Sequence, residues 1–348
     1  RGLGDVYKRQ RLNGSLGVAY DYDPASHPPG DFDYRVSGGV TGFDTISYRG
    51  CAKNIMTVGS VTDAVTSDAR DVGDANLSSF SSAGPTDDGR IKPDIVANGS
   101  SLRSLDEDSD TDTTWKSGTS MSSPNACGSA LLLQDYYDDR LPGQAMRAST
   151  LKGLIIHTAD DMGNPGPDYR FGWGLMNARA AADVIREHAD AQEFRRIVES
   201  TLSSDVASEV YPLFRDGAGP LRVTLCWTDP PGPSTSTHDS RTRRLVHDLN
   251  LKLSAPDGST HYHPFVMPWV GDWSDGLLDA DAKPPSTMVA KAILASCTAA
   301  ETPSGETASS QSALQAGSVI KNQINTPASR PERGRIDRSV NPVVRHVV

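Results

Sequence analysis

One stretch constrains this chain more than any other: Ser117-Gly118-Thr119-Ser120-Met121-Ser122-Ser123-Pro124. It closes a polar loop, residues 108–116, and opens an apolar run, residues 126–133. A small-residue turn that delivers a serine to the start of a buried helix presents a hydroxyl nucleophile. The first N–H groups of a helix have no intrahelical partner, and the helix dipole puts partial positive charge there. A serine at that point can attack a carbonyl while its own N–H helps hold the oxyanion. Pro124 is expected in the first turn, where a missing N–H costs nothing. A Gly-Thr-Ser cap can also be only a cap.

The octapeptide resembles the Gly-Thr-Ser-Met-Ala-x-Pro motif of subtilases, the subtilisin-like serine peptidases, with Ser122 where the family has alanine. The likeness extends both ways. Phe80-Ser81-Ser82-Ala83-Gly84-Pro85 and Arg90-Ile91-Lys92-Pro93-Asp94-Ile95-Val96-Ala97 resemble the segment before the nucleophile. Ile55-Met56-Thr57-Val58-Gly59-Ser60-Val61 resembles a family strand, and Phe171-Gly172-Trp173-Gly174 a closing loop. The resemblance spans residues 40–188. It implies that Ser120 is the catalytic nucleophile of an endopeptidase acting on proteins or peptides, outside the cell. No cofactor is implied for the chemistry.

Composition narrows the alternatives. The 348 residues suffice for two domains, and a net charge of −10 argues against nucleic acid or an anionic membrane as partner. No apolar run is long enough for a membrane span. Oligomeric state is not legible. Cys51, Cys127, Cys226 and Cys297 are scattered, so a zinc site is not expected. The first three sit in apolar contexts and read as buried free thiols.

Residues 1–10 read as a non-native leader resembling translated adapter sequence, and residues 11–34 as loop. Short apolar runs at 55–61 and 95–97 read as strands of a mostly parallel sheet, and 147–158 and 177–186 as helices. That pattern is an α/β fold, and the resemblance implies a subtilisin-like sheet with helices on both faces, incomplete, over residues 11–190. The acidic loop 106–112 reads as a solvated loop, with structural calcium as the other reading; it lacks the glycine and closing glutamate of an EF-hand. From residue 191 the period changes to two. Leu221, Val223, Leu225 and Trp227 alternate with Arg222, Thr224 and Cys226. Leu249, Leu251 and Leu253 alternate with polar residues before Pro256-Asp257-Gly258. Antiparallel strands and a hairpin follow. Residues 191–282 resemble the β-sandwich that some secreted subtilases carry, also incomplete. Residues 283–348 read as a disordered or frameshifted tail.

A serine needs a base, and the base an orienting carboxylate. The family's Asp-Thr/Ser-Gly, His-Gly-Thr and Ala-Gly-Asn motifs do not occur in this sequence. His27 lies in a proline-flanked loop unlike the family's context, so the catalytic role is not carried over to it, and His157 aligns with a non-catalytic helix end and reads as structural. Neither Asn54 nor Asn98 substitutes for the oxyanion asparagine. The economical expectation is an N-terminally truncated peptidase, inactive as it stands. The rival is a pseudopeptidase with a binding role. An unrelated serine hydrolase is disfavoured, because no Gly-x-Ser-x-Gly elbow is present.

Overall fold

The computed structural model describes residues 45–47, 49–86, 88–190, 196–203, 208–214, 221–234, 242, 244–255, 257–265 and 267, with the backbones of strands at 290–295, 313–314 and 344–347. The leader at 1–10, the loop at 11–34, His27 and Cys297 lie outside the described residues.

In chain order come β1 (Val58–Val61), the hairpin β2 (Val65–Thr66) and β3 (Ala69–Arg70), β4 (Ile95–Asn98), the hairpin β5 (Leu102–Leu105) and β6 (Thr113–Lys116), then α1 (Thr119–Arg140), α2 (Ala148–Thr158) and α3 (Ala178–Asp190). β1 and β4 pair in parallel, Val58 opposite Ile95 and Val61 opposite Asn98. Residues 172–176 run along the other side of β4: Val96 N–H donates to Gly174 O at 3.0 Å and Met176 N–H to Val96 O at 3.0 Å. Close approach demands glycine here. A Cβ at Gly174 would lie 2.0 Å from Asp160 O, and one at Gly172 2.3 Å from Pro93 O. Asn177 caps α3, its Oδ1 accepting from Ala180 N–H at 2.9 Å.

Ile95 and Ala97 of β4 join Ala126 and Leu133 of α1, Leu154–Ile156 of α2, and Ala181 and Ile185 of α3 in one core. Val96 faces the other way, onto Val61, Ala64, Ala75 and Met162. Helices were expected on both faces. Among the described residues all three share the Ile95 face, and loop residues cover the other. α1 is also less buried than its apolar run suggests. Ala126, Leu133 and Tyr137 are buried, whereas Leu131 and Leu132 are 66% and 70% exposed. Only one side of this helix meets the sheet, and Cys127 lies exposed on the open side, contrary to the buried thiol expected.

The second region is antiparallel. β7 (Val198–Thr201), β8 (Leu213–Phe214), β9 (Leu221–Trp227), β10 (Leu253–Ser254), β11 (His261–Tyr262), β12 (Ala290–Ala295), β13 (Ala313–Leu314) and β14 (Val344–Val347) follow. β12, β9, β14 and β7 lie side by side in that order. β12 and β14 fall inside the stretch read as tail. β8 pairs with β13, and β10 with β11. The β10–β11 hairpin turns at Gly258, φ 69°, with the Asp257 carboxylate accepting from Ser259 and Thr260 N–H at 2.8 Å each.

Val223, Leu225 and Trp227 point into a core with Leu202, Leu249, Leu251 and Leu253. The alternation at 249–253 thus marks the buried side chains correctly, although only residues 253–254 are strand. Thr224 and Cys226, on the opposite face of β9, are buried as well. α2 covers that face, with Cys226 inside the helical core, as its apolar context suggested. Burial pushes the Cys226 thiol up to about 12.

A polar cluster joins the regions. Lys53 Nζ donates to the Asp229 carboxylate, to Pro230 O at 2.6 Å and to Arg244 O at 2.7 Å. Asn54 and Asp229 exchange a reciprocal pair of bonds, Nδ2 to O at 2.8 Å and backbone N–H to Oδ1 at 3.0 Å. Beneath them, Asp94 accepts from Lys92 at 2.6 Å, Lys152 at 2.8 Å and Thr57 N–H at 2.7 Å. Burial alone would raise the Asp94 carboxyl, but Lys152 and Lys92 hold it below the ordinary value. Lys92 shares that one carboxylate with Lys152, so burial prevails and draws its ammonium down to about 8.

Candidate active site

The site begins where β1 and β4 end. Gly99 N–H donates to Val61 O at 3.1 Å, and Gly99 O accepts from Gly118 N–H at 2.7 Å. A Cβ at Gly99 would sit 2.4 Å from Ser60 Oγ and 2.7 Å from Gly118 O. Only glycine lets the end of β4 touch the turn that starts α1. Gly118 itself has φ 155° and ψ 163°, a region essentially restricted to glycine. Its carbonyl accepts from Met121 N–H at 2.9 Å and Ser122 N–H at 3.2 Å.

Ser120 is the second residue of α1, and it is exposed. Among the described residues, no group hydrogen-bonds its hydroxyl or its N–H. A free hydroxyl and a free first-turn N–H on one residue are the two groups that nucleophilic attack and oxyanion binding require.

Pro124 is not in the first turn, as the sequence suggested, but sixth in the helix. It has no N–H for the carbonyl of residue 120, so the helical bond that would tie down the Ser120 C=O is missing. Ser122, the departure from the family's alanine, is fully buried and donates to Thr119 O at 3.1 Å. The extra hydroxyl is satisfied within the same turn.

The loop before this turn is more ordered than its polarity suggests. Residues 113–116 form β6, paired with β5 in the register Leu102–Lys116 to Leu105–Thr113. Short strands rich in threonine and charge carry no clear period, which is why the hairpin was not legible. Its tip is the acidic loop 106–112. Among the described residues no three acidic, histidine or cysteine side chains converge as a metal site would require.

His157 lies away from Ser120. Its Nδ1 meets Thr224 Oγ1 at 3.0 Å, and its carbonyl accepts from Arg222 Nη1 at 2.7 Å. Burial, with Arg222 and Arg196 nearby, lowers its imidazole to about 4. Asn54 is engaged with Asp229, and Asn98 Oδ1 accepts from Ser100 N–H at 3.0 Å. Neither asparagine is bonded to Ser120.

Residues 34–174 match the Subtilase family. Among curated proteins, the chain is 27% identical over 203 residues to the serine protease/ABC transporter B family protein tagA of Dictyostelium discoideum, covering 51% of this chain and 11% of that protein. It is 32% identical over 157 residues to the serine protease AprX of Bacillus subtilis, covering 41% of this chain and 33% of that one. Among solved structures, the CspB protease of Clostridium perfringens aligns at 25% identity with a TM-score of 0.35, covering 41% of this chain and 29% of that one. The chain therefore spans a third or less of the length of these relatives. No helix among the described residues is long and apolar enough to cross a membrane.

Proposed function

Residues 34–174 belong to the subtilase family, and from that premise we propose that this chain is part of a secreted, subtilisin-like serine endopeptidase whose nucleophile is Ser120. The reaction is acyl transfer from a peptide bond to Ser120 Oγ, followed by hydrolysis of the acyl-enzyme. The observation that carries this reading is the exposed, unbonded Ser120 hydroxyl behind the glycine-only turn at Gly118. In this reading the Ser120 N–H donates to the oxyanion as the carbonyl oxygen gains charge.

The base, its carboxylate and the side-chain oxyanion donor come from subtilase sequence absent from these 348 residues. The chain alone is then inactive. The open side of α1 supports this: Leu131 and Leu132 are exposed, and a Cβ on Gly128 would meet nothing within 4 Å. Such a face suits packing against further strands and helices of the peptidase domain. We assign residues 11–190 to that domain and the antiparallel region from residue 191, whose sheet takes in β12 and β14, to an appended β-sandwich, with the buried Lys53–Asp229 contact as their joint. No cofactor enters the chemistry.

The second reading is a pseudopeptidase that binds polypeptides without cutting them. Its support is that no base reaches Ser120 among the described residues. Labelling with a fluorophosphonate probe separates the two. The chain alone should not label. Combined with the preceding catalytic segment of a relative, it should label, and Ser120→Ala should abolish labelling. Absence of labelling in a folded, complemented protein favours the pseudopeptidase.

A further inference from the structure

The hairpin β5–β6 runs directly into the Gly118 turn, and one of its faces exposes two large apolar side chains. Arg103 is registered opposite Trp115, and Leu105 opposite Thr113, so these residues share a face. Trp115 is 67% exposed and Leu105 75%. Arg103 Nε donates to Thr113 Oγ1 at 2.9 Å, which lays the guanidinium along the face. Beyond it, Glu107, Asp108, Asp110 and Asp112 are exposed, whereas Asp106 pairs with Lys116 at 3.7 Å. The hairpin and its tip carry five carboxylates against two cations.

We propose that this face docks the substrate polypeptide, taking an extended segment whose apolar side chains are flanked by lysine or arginine. The proposal rests on the peptidase reading, because it supplies the substrate class. Continuity with the nucleophile is its first argument. Ser120 is five peptide steps from Trp115, which limits their distance to about 18 Å, and Ser101 N–H donating to Ser117 Oγ at 2.8 Å fixes the base of the hairpin. A polypeptide held here lies within a few extended residues of the hydroxyl. Charge complementarity is the second argument, since the acidic tip favours basic flanks. Geometry is the third. Among the described residues the sheet has two strands, so its outer edges offer backbone groups to an added strand, and exposed tryptophan is an effective anchor.

The test needs no catalysis. A short synthetic peptide carrying leucine and phenylalanine between lysines is titrated into the purified 348-residue chain, with fluorescence anisotropy as readout. Saturable binding is expected. Trp115→Ala and Leu105→Ser should each weaken it by about tenfold or more, with Trp115→Phe close to the parent. Replacing the peptide's lysines with glutamate, or raising the salt, should weaken it comparably. Both lost side chains are exposed, so unfolding does not confound the variants, and thermal melts check this. Unchanged affinity in Trp115→Ala, or equal binding of the glutamate peptide, overturns the proposal. So does self-association of the chain that Trp115→Ala abolishes, since the face then binds a second copy. Peptide binding and fluorophosphonate labelling are separate measurements, so either reading can fail while the other stands.

Discussion

Lys53 and Asp229 form a buried ion pair that joins the parallel region to the antiparallel one, with side chains 9% and 0% exposed. The Asp229 carboxylate also accepts from Val246 N–H at 2.9 Å and His247 N–H at 2.8 Å. It thus organises its own loop while holding the partner region. Removing one member of a buried, hydrogen-bonded pair leaves the other charge uncompensated.

Asp229→Asn and Lys53→Met should each destabilise the chain by about 3–5 kcal/mol. The double variant should cost less than their sum, because no stranded charge remains. Urea denaturation of the single and double variants gives the coupling. Single-variant losses below about 1 kcal/mol would mean that the joint lies elsewhere.

His157 makes a pH-dependent contribution at the same boundary. Burial, with Arg222 and Arg196 nearby, lowers its pKa from the ordinary 6.5 to about 4, so the folded state favours the neutral ring. Between those values the unfolded chain takes up a proton that the folded chain refuses. Stability is therefore retained above pH 6.5 and lost as pH falls toward 4, at up to about 1.4 kcal/mol per pH unit. Protonation would also add a charge facing Arg222 and Arg196. Over that window His157→Gln should flatten the fall in melting temperature. An equally steep fall in the variant would assign the acid sensitivity to other groups.

Gly118 and Ser122 should respond differently to alanine. Gly118→Ala forces a side chain into a glycine-only conformation, at about 1–3 kcal/mol, and shifts the turn that presents Ser120. Ser122→Ala removes a hydroxyl bonded only within its own turn and restores the family residue, so it should change stability by less than about 1 kcal/mol. Thermal denaturation of both variants checks the contrast. A tolerant Gly118 would remove the argument that this turn is specially shaped.

These contrasts bear on what the sequence carried. β1, β4, α2 and α3 were legible because their apolar residues follow a clear pattern, and α1 from its apolar run. The turn at Ser120 was legible from its residue types together with the family motif they resemble. The alternation on β9 does not say what covers each side; α2 makes Thr224 and Cys226 interior. The hairpin β5–β6 was missed because its apolar residues Leu105 and Trp115 face outward. Nor could the Lys53–Asp229 joint be read, because its members are separated by most of the α/β region. Pro124 was misassigned by the start of α1, which lies one turn earlier than the proline suggested.

The open side of α1 gives the last prediction. Leu131 and Leu132 are exposed here, and glutamine has nearly the helix propensity of leucine. Replacing both with glutamine should therefore alter the stability of the chain alone by no more than about 0.5 kcal/mol. If that face receives the preceding catalytic segment, the same change should block assembly, because two amides would be buried without partners. Fluorophosphonate labelling of Ser120 in the complemented protein should then fall sharply, while the variant chain keeps its own melting temperature. A double variant that still assembles and labels would show that α1's open face is not the contact, and the exposed leucines would need another occupant. A variant that unfolds alone would show that the face is already buried against the chain's own residues.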